Sequence, residues 1–426
     1  MGRAVIVGGA RTPFVRAFGS YLKLDAIGLG TAAVGALLER LPIPRSEIDS
    51  IVWGGVILPS GAPNVGREIA LDLALPPSVE AFTVTRACAS GLQAVTLAAA
   101  AIERGDADVV IAGGADSTSN ARIELPASFM HKVAPVAMNR KSGAMDYFSL
   151  LGKLSPTRDL VPRKPEIAER STGELMGEAA ERMAERNGIS REDQDAFTVR
   201  SHHRAAAAIA SGRFNDEVAA VDTKKGKVFT DEIVRADTSV EKLAKLRPAF
   251  KKGGTLTAGN SSALTDGASA VLLMSEEKAK ALGFTALAAF KSWAYVGVDP
   301  ADQLLMGPAL AMPKALDRAG MSLSDVTVVD MHEAFAAQVL SVLKMLGSDA
   351  FAQERLGKSK AVGEIDPELL NVHGGSVSLG HPFGATGARM ALTMAHEVHA
   401  RGQGSTALLG LCAAGGLGAG AILEAV

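Results

Sequence analysis

The chain has 426 residues, 47% hydrophobic and 21% charged, which excludes a disordered or collagen-like polymer and allows two or three domain-sized units or one large two-part fold. Its 44 Lys and Arg against 46 Asp and Glu provide no basic field for nucleic acid. Two cysteines exclude a disulfide framework and a four-thiolate zinc site, and an aromatic content of 4% beside 45 glycines calls for a core of closely packed small aliphatic side chains.

Ala4-Val5-Ile6-Val7 reads as a first strand. Its apolar run is broken by Gly8 and Gly9 and ends at Arg11, a poor signal-peptide core, and Ile6 stands where a myristoylation pattern wants Ser or Thr. A helical run, Leu29 to Leu41, precedes Ser46-Glu47-Ile48-Asp49-Ser50-Ile51, and a second, Ala309 to Ala319, precedes the similar Ser324-Asp325-Val326-Thr327-Val328-Val329. Ala89-Ser90-Gly91-Leu92-Gln93-Ala94 is similar to Ala385-Thr386-Gly387-Ala388-Arg389-Met390; each opens a helical run (Ala94 to Glu103, Ala391 to Ala400), then a charged glycine turn, then an apolar strand beginning at Val109 or Ala407. Gly91 to Gly387 and Gly114 to Gly410 are both 296 positions, so the register holds without gaps. An α/β half occurring twice predicts a duplicated αβαβα body in five layers, although short helix-start patterns also recur by chance in an Ala/Gly-rich chain.

The expected domains are an N-terminal half over 1–120 with a strand returning near 255–285, an inserted lobe over 121–254, and a C-terminal half over 286–426. Residues 121–170 read as loop because of Pro126, Pro135, Pro156, Pro162 and Pro165. The stretch Gly173 to Gly212 reads as helical, with a start signal at Ser190-Arg191-Glu192-Asp193. Gly402 to Leu423 is the longest uncharged run, long enough to span a bilayer, but its glycines favour a buried strand–turn–strand. The expectation is a soluble, intracellular, cytoplasmic chain.

Chemistry concentrates at strand-to-helix turns. Cys88 follows the strand-like Phe82-Thr83-Val84-Thr85 and precedes the helix near Ser90, where unpaired N–H groups and the helix dipole favour a thiolate; the alternative is a small buried hydrophobe. Cys412 ends a strand ahead of Ala413-Ala414-Gly415-Gly416, either a glycine turn whose N–H groups approach a ligand or a tight hairpin with a core Cys. His381, between Gly380 and Pro382, suits a general base, and by the repeat its turn mirrors that of Cys88. His332 follows the apolar strand Val326 to Val329, a usual place for ligand-facing residues; either His is equally explained as a hydrogen-bonded structural residue. No phosphate loop, dinucleotide fingerprint or metal constellation is evident.

Together these motifs resemble the thiolase family along nearly the whole chain. Arg11-Thr12-Pro13-Phe14, Cys88-Ala89-Ser90-Gly91, Leu246-Arg247-Pro248-Ala249-Phe250, Thr257-Ala258-Gly259-Asn260-Ser261-Ser262, Gly380-His381-Pro382 and Cys412 with its glycines stand in the family's order. Departures are Thr85 where many thiolases have Asn, Ala414 where many have Gly, and His332 where most biosynthetic members have Asn. The form His332-Glu333-Ala334-Phe335 looks most like the β-subunit of the fatty-acid oxidation trifunctional complex. The resemblance implies the five-layered thiolase fold and cleavage of 3-oxoacyl-CoA by CoA through an acyl-Cys88 intermediate. His381 would activate Cys88 and later the CoA thiol, and with His332 would serve the thioester oxygen. The N–H groups of Cys88 and Ala414 would serve the tetrahedral oxyanion, and Cys412 would protonate the enolate. Ser262, Phe250, Met176 and Phe335 would line the pantetheine and acyl channel.

CoA is then a co-substrate, with no permanently bound cofactor. Lys224, Lys225 and Lys227 are candidate phosphate partners or simply a solvated turn. The resemblance also implies a homodimer or dimer of dimers and a hydratase/dehydrogenase α-subunit partner. Segment 131–164 carries seven Lys and Arg against two Asp, with Met145, Tyr147, Phe148, Leu150, Leu151 and Leu154 as an apolar cluster. It reads as a cover for the acyl tunnel, or as a surface for a membrane or partner. Rival readings are an acetoacetyl-CoA-forming biosynthetic thiolase, a ketoacyl synthase-like condensing enzyme with no need of Cys412, and a catalytically idle acyl-CoA or lipid-binding subunit.

Overall fold

The computed structural model describes residues 2–162 and 168–426. The N-terminal half forms a sheet from β1 (Ala4–Arg11), β2 (Ser50–Gly54), β3 (Glu80–Val84), β4 (Val109–Ser117) and β5 (Thr265–Ser275), in the order β3-β2-β4-β5-β1. The C-terminal half repeats the plan with β6 (Ala288–Gly297), β7 (Val328–Met331), β8 (Thr406–Ala413) and β9 (Leu417–Ala425), in the order β7-β8-β9-β6. A parallel bridge from Val329 to Leu370 occupies the place that β3 holds in the first half. The two sheets join where β1 meets β6 antiparallel, at Val5–Ala289 and Ile6–Ala288.

Apart from the edge strand β3, both faces of these strands are covered, so they are largely apolar. Alternate residues enter different layers. On β5, Ala268, Ala270, Leu272 and Met274 join an outer core with helices α1 (Ala26–Arg40) and α2 (Val65–Asp72), while Val271 and Leu273 face the middle layer. The middle layer is α3 (Ser90–Arg104) on one side and, near the C-terminus, a 19-residue helix, Phe383–Arg401, on the other. The second outer layer includes α8 (Pro308–Ala319), α9 (Ala336–Leu346) and the inserted helix α6 (Met176–Asn187); the Phe383–Arg401 helix is α10. This is the expected αβαβα duplication.

The 296-residue register has a physical basis at the two central glycines. A Cβ on Gly91 would stand 2.3 Å from the Gly384 carbonyl oxygen, and one on Gly387 would stand 2.4 Å from the Leu92 nitrogen. The helices α3 and α10 therefore meet backbone to backbone at their N-terminal ends, bringing together the two turns that precede them. The run Gly402 to Leu423 is the β8–β9 hairpin, paired Thr406–Glu424 through Ala413–Leu417. No helix among the described residues is long and apolar enough to cross a membrane.

Residues 121–254, expected as one inserted lobe, divide. Residues 169–254 belong with the two sheets in one compact unit, and 121–168 form a second. In the first unit lie α6 (Met176–Asn187) and α7 (Arg191–Ala210), the latter capped by Ser190, which accepts from the Asp193 N–H as its sequence signal implied. The second unit is not loop, as its prolines suggested. It contains α4 (Ala127–Ala137), entered through Pro126 and tolerating Pro135, and α5 (Ala144–Leu151). Within that unit Lys132 Nζ donates to Asp159 at 2.7 Å and to the Lys153 carbonyl at 2.9 Å, tying α4 to the segment after α5. Only Leu150 of the expected α5 apolar cluster is buried; Met145, Phe148 and Leu151 form an exposed stripe. Arg163, Lys164 and Pro165 of the sequence reading lie outside the described residues.

Candidate active site

Cys88 occupies the five-residue connection between β3 and α3. Ala87 ahead of it has φ 45°, a left-handed conformation that costs about 1 kcal/mol or more in a residue with a side chain. Ser90 secures the turn: its Oγ accepts from the Arg86 N–H at 2.7 Å and donates to the Ala87 carbonyl at 2.6 Å. The sulfur accepts from the backbone N–H groups of Ala414 and of Cys88 itself. These contacts and the helix end do not prevail. Burial pushes the thiol up to about 11, with the buried Asp116 carboxylate adding to the shift, so the expected lowering is corrected: desolvation outweighs the helix terminus and the resting sulfur is protonated.

His381 is held by the chain on both sides. Gly380 before it has φ 105°, its own N–H donates to Thr265 Oγ1 at 2.7 Å, and its Nδ1 lies 2.6 Å from Thr386 Oγ1. The Thr386 hydroxyl donates to the Pro382 carbonyl at 3.0 Å, so it must accept from His381 Nδ1–H, which leaves the lone pair on Nε2. His332 follows β7 directly. Its Nδ1 lies 2.7 Å from Ser376 Oγ, and its N–H donates to the Gly410 carbonyl at 2.8 Å. The two rings are 4.1 Å apart between centroids, and neither Nε2 has a hydrogen-bond partner. Burial, followed by the Arg389 charge, moves His381 down to about 3, and burial moves His332 well below its ordinary value.

The structure therefore brings three distant stretches together. Cys88 Sγ and the ligand nitrogens of His332 and His381 all lie within 4.8 Å of one another, a constellation that spacing along the chain does not reveal. Cys412, on β8, is buried and close enough for the Cys88 charge to raise its pKa further, after the larger effect of burial. It belongs to the outer apolar cluster that also contains Phe335, with Phe250 and Met176 packed against it. Phe250 and Phe335 meet edge to face at 5.8 Å, and the Ser262 N–H donates to the Ala334 carbonyl at 2.9 Å. The expected channel residues are thus neighbours on the Cys412 side. Lys224, Lys225 and Lys227 lie on the exposed hairpin of Val221–Thr223 and Gly226–Val228, with Lys227 3.8 Å from Asp222.

Sequence reading missed the supports. Glu333, buried with a raised pKa, accepts from Ser201 Oγ, Asn371 Nδ2 and the Val377 N–H at 2.7, 2.7 and 3.1 Å, bracketing the turn that carries Ser376. Asp116 at the end of β4 accepts from the Ile57 and Gly384 N–H groups at 2.6 and 2.5 Å, so it caps α10 just beyond His381. Glu169 Oε2 accepts from the Gly415 N–H at 3.0 Å, and Ser171 holds its other oxygen at 2.7 Å. These are single acidic residues, each with at least one partner far along the chain. The only local signal was Thr386 and Ser376 standing among glycines near His381.

A layered αβαβα body presenting a thiol, two imidazoles with unpartnered Nε2 atoms and a second thiol is the equipment of an acyl-transferring enzyme that works through a cysteine. Family models for the thiolase N-terminal domain and the thiolase C-terminal domain match residues 4–277 and 284–425. A 3-ketoacyl-CoA thiolase of Yersinia pestis (strain Pestoides F) is 47% identical over 425 residues, covering 99% of this chain and 97% of the relative. Among solved structures, an acetyl-CoA acetyltransferase of Bacillus anthracis superposes with TM-score 0.83 at 33% identity, covering 100% of this chain and 99% of that one. Human mitochondrial 3-ketoacyl-CoA thiolase in complex with CoA superposes with TM-score 0.82 at 31% identity, covering 100% and 98%. The chain belongs to the thiolase family.

Proposed function

We propose that this thiolase cleaves 3-oxoacyl-CoA with CoA to acetyl-CoA and a shortened acyl-CoA in fatty-acid β-oxidation. The observation that carries the reading is the meeting of Cys88, His381 and His332 beside Cys412. His381 Nε2 takes the Cys88 proton as the sulfur attacks the 3-keto carbon. The oxyanion forms between the N–H groups of Ala414 and Cys88; alanine at 414 still donates its N–H, so glycine is not needed there. The carbon–carbon bond then breaks, its electron pair going to the thioester enolate, whose oxygen is served by His381 and His332. Cys412 gives its proton to the enolate carbon, releasing acetyl-CoA, and the protonated His381 returns a proton to the Cys412 thiolate. The neutral imidazole then takes the thiol proton of the second CoA as its sulfur attacks the thioester, and gives that proton to the departing Cys88 thiolate.

Two thiols suit this sequence, since one is tied up as the thioester while the other handles a proton. CoA acts as co-substrate. The two free thiols suit a reducing interior such as the cytoplasm. A second copy of the chain is the partner inferred first: β3 is the free edge of its sheet, with Phe82 exposed, and an open edge invites continuation by a like strand. A hydratase/dehydrogenase subunit would be the second partner.

The discriminating experiment is CoA-dependent cleavage across short, medium and long 3-oxoacyl-CoAs, read as kcat/KM. Values that rise with chain length support β-oxidation. Activity confined to acetoacetyl-CoA favours the biosynthetic reading, and malonyl-dependent condensation without thiolysis favours a ketoacyl synthase.

A further inference from the structure

The thiol and two imidazoles also form a donor set in their own right. All three ligand atoms lie within 4.8 Å of one another. Both Nε2 atoms lack partners although the rings are 0% and 4% exposed, and each ring is oriented from behind by a hydroxyl, Ser376 or Thr386. A metal-binding histidine needs this arrangement, with one nitrogen fixed by an outer partner and the other carrying a free lone pair. The nearby acids are committed elsewhere: Asp116 to the Val56, Ile57 and Gly384 N–H groups, and Glu333 to Ser201, Asn371 and Val377. Cations that require oxygen ligands, such as Mg²⁺ and Ca²⁺, find none in the trio, whereas one sulfur and two imidazole nitrogens match Zn²⁺.

We propose that Cys88 Sγ, His332 Nε2 and His381 Nε2 bind one zinc ion with the fourth position left to water, and that occupancy reversibly blocks the nucleophile. Binding forms one Zn–S and two Zn–N bonds, releases the Cys88 proton to solvent and transfers no electrons. Donors held about 2.0–2.3 Å from a tetrahedral ion stand roughly 3.3–3.7 Å apart. The group therefore closes by up to about 1.5 Å from the 4.8 Å limit, within reach of thiol rotation and ring tilt. The proposal rests on the geometry of the site and not on which acyl chain is cleaved.

The test adds Zn²⁺ to chelator-treated enzyme, with Mg²⁺ as control, and reads bound metal, iodoacetamide alkylation of Cys88 and thiolysis together. One Zn²⁺ per chain is expected, with alkylation slowed at least about tenfold, thiolysis lost in proportion, full recovery with chelator and no effect of Mg²⁺. Cys88→Ala and His332→Asn, with their fold checked by circular dichroism, should each weaken zinc binding at least about tenfold. Unchanged affinity in Cys88→Ala, or unchanged alkylation at saturating zinc, overturns the proposal. Zinc binding with protection of Cys88 in a chain that shows no thiolysis would instead sink the catalytic reading and leave the metal site standing.

Discussion

At Cys88 and His381 the resting charge state follows from burial. The thiol is pushed up to about 11 and the imidazole down to about 3, so both are neutral near pH 7 and the proton moves only when substrate arrives. That transfer depends on His381 presenting a bare Nε2, which Thr386 secures by accepting from Nδ1–H. Thr386→Val keeps the shape and removes the acceptor. Leaving a buried N–H unpaired costs about 1–3 kcal/mol, so we expect kcat to fall about ten- to a hundredfold with little change in KM; steady-state kinetics with unchanged kcat would remove Thr386 from the mechanism. The sequence pointed to His381 through Gly380 and Pro382 on either side of it, and to Cys88, Cys412 and His332 through their places at the ends of strand-like runs. The protonation state of Cys88 was not, since sequence shows the helix that would lower its pKa and hides the depth of burial that raises it.

The supports belong to the scale of whole turns. Glu169, held ionised chiefly by the Ser171 hydroxyl and N–H, reaches the β8–β9 turn through the Gly415 N–H, one residue beyond the Ala414 N–H that points at Cys88. Glu169→Ala should let this turn drift. The expected result is a loss of about tenfold or more in kcat, with recovery in Glu169→Gln, which keeps an acceptor oxygen. Equal losses in the Ala and Gln variants would show that the bond to Gly415 is not what matters.

The α3–α10 contact is stricter, since Gly387 faces the Leu92 backbone and backbone cannot swing aside as a side chain can. Gly387→Ala gains about 1 kcal/mol of helix propensity but meets an overlap that costs about 1–3 kcal/mol or more, so denaturant melts should show net destabilisation. Strands, central helices and the duplication were readable because hydrophobic period and glycine register are local signals. Residues 121–162 were misread as loop because prolines at helix starts, such as Pro126, look the same in sequence as prolines that end helices.

Across the molecule, three histidines share the fate of His381. Burial lowers His332 well below its ordinary value, His202 to about 4, and His396 as well. A group whose folded pKa is lowered binds its proton more readily when unfolded, so stability is lost as pH falls below the unfolded value of about 6.5. Asp116, raised to about 6, acts in the opposite sense and offsets part of this loss, and Asp330 and Glu333 are raised as well. Calorimetry should therefore show Tm beginning to fall between about pH 7 and 6, and a Tm that rises over that interval would contradict the assignment.

All of this depends on two sulfurs and one imidazole surrounding a single reacting carbonyl, assembled from β3, β8 and the turn before α10. The direct measurement is mass spectrometry of the chain quenched after mixing with a 3-oxoacyl-CoA in the absence of free CoA. The expected result is one shortened acyl group on Cys88, released by CoA, absent in Cys88→Ser, and trapped far more slowly in Cys412→Ser even though that variant still takes an acyl group from a saturated acyl-CoA. An acyl group on another residue, or trapping and turnover at the full rate in Cys412→Ser, would contradict it.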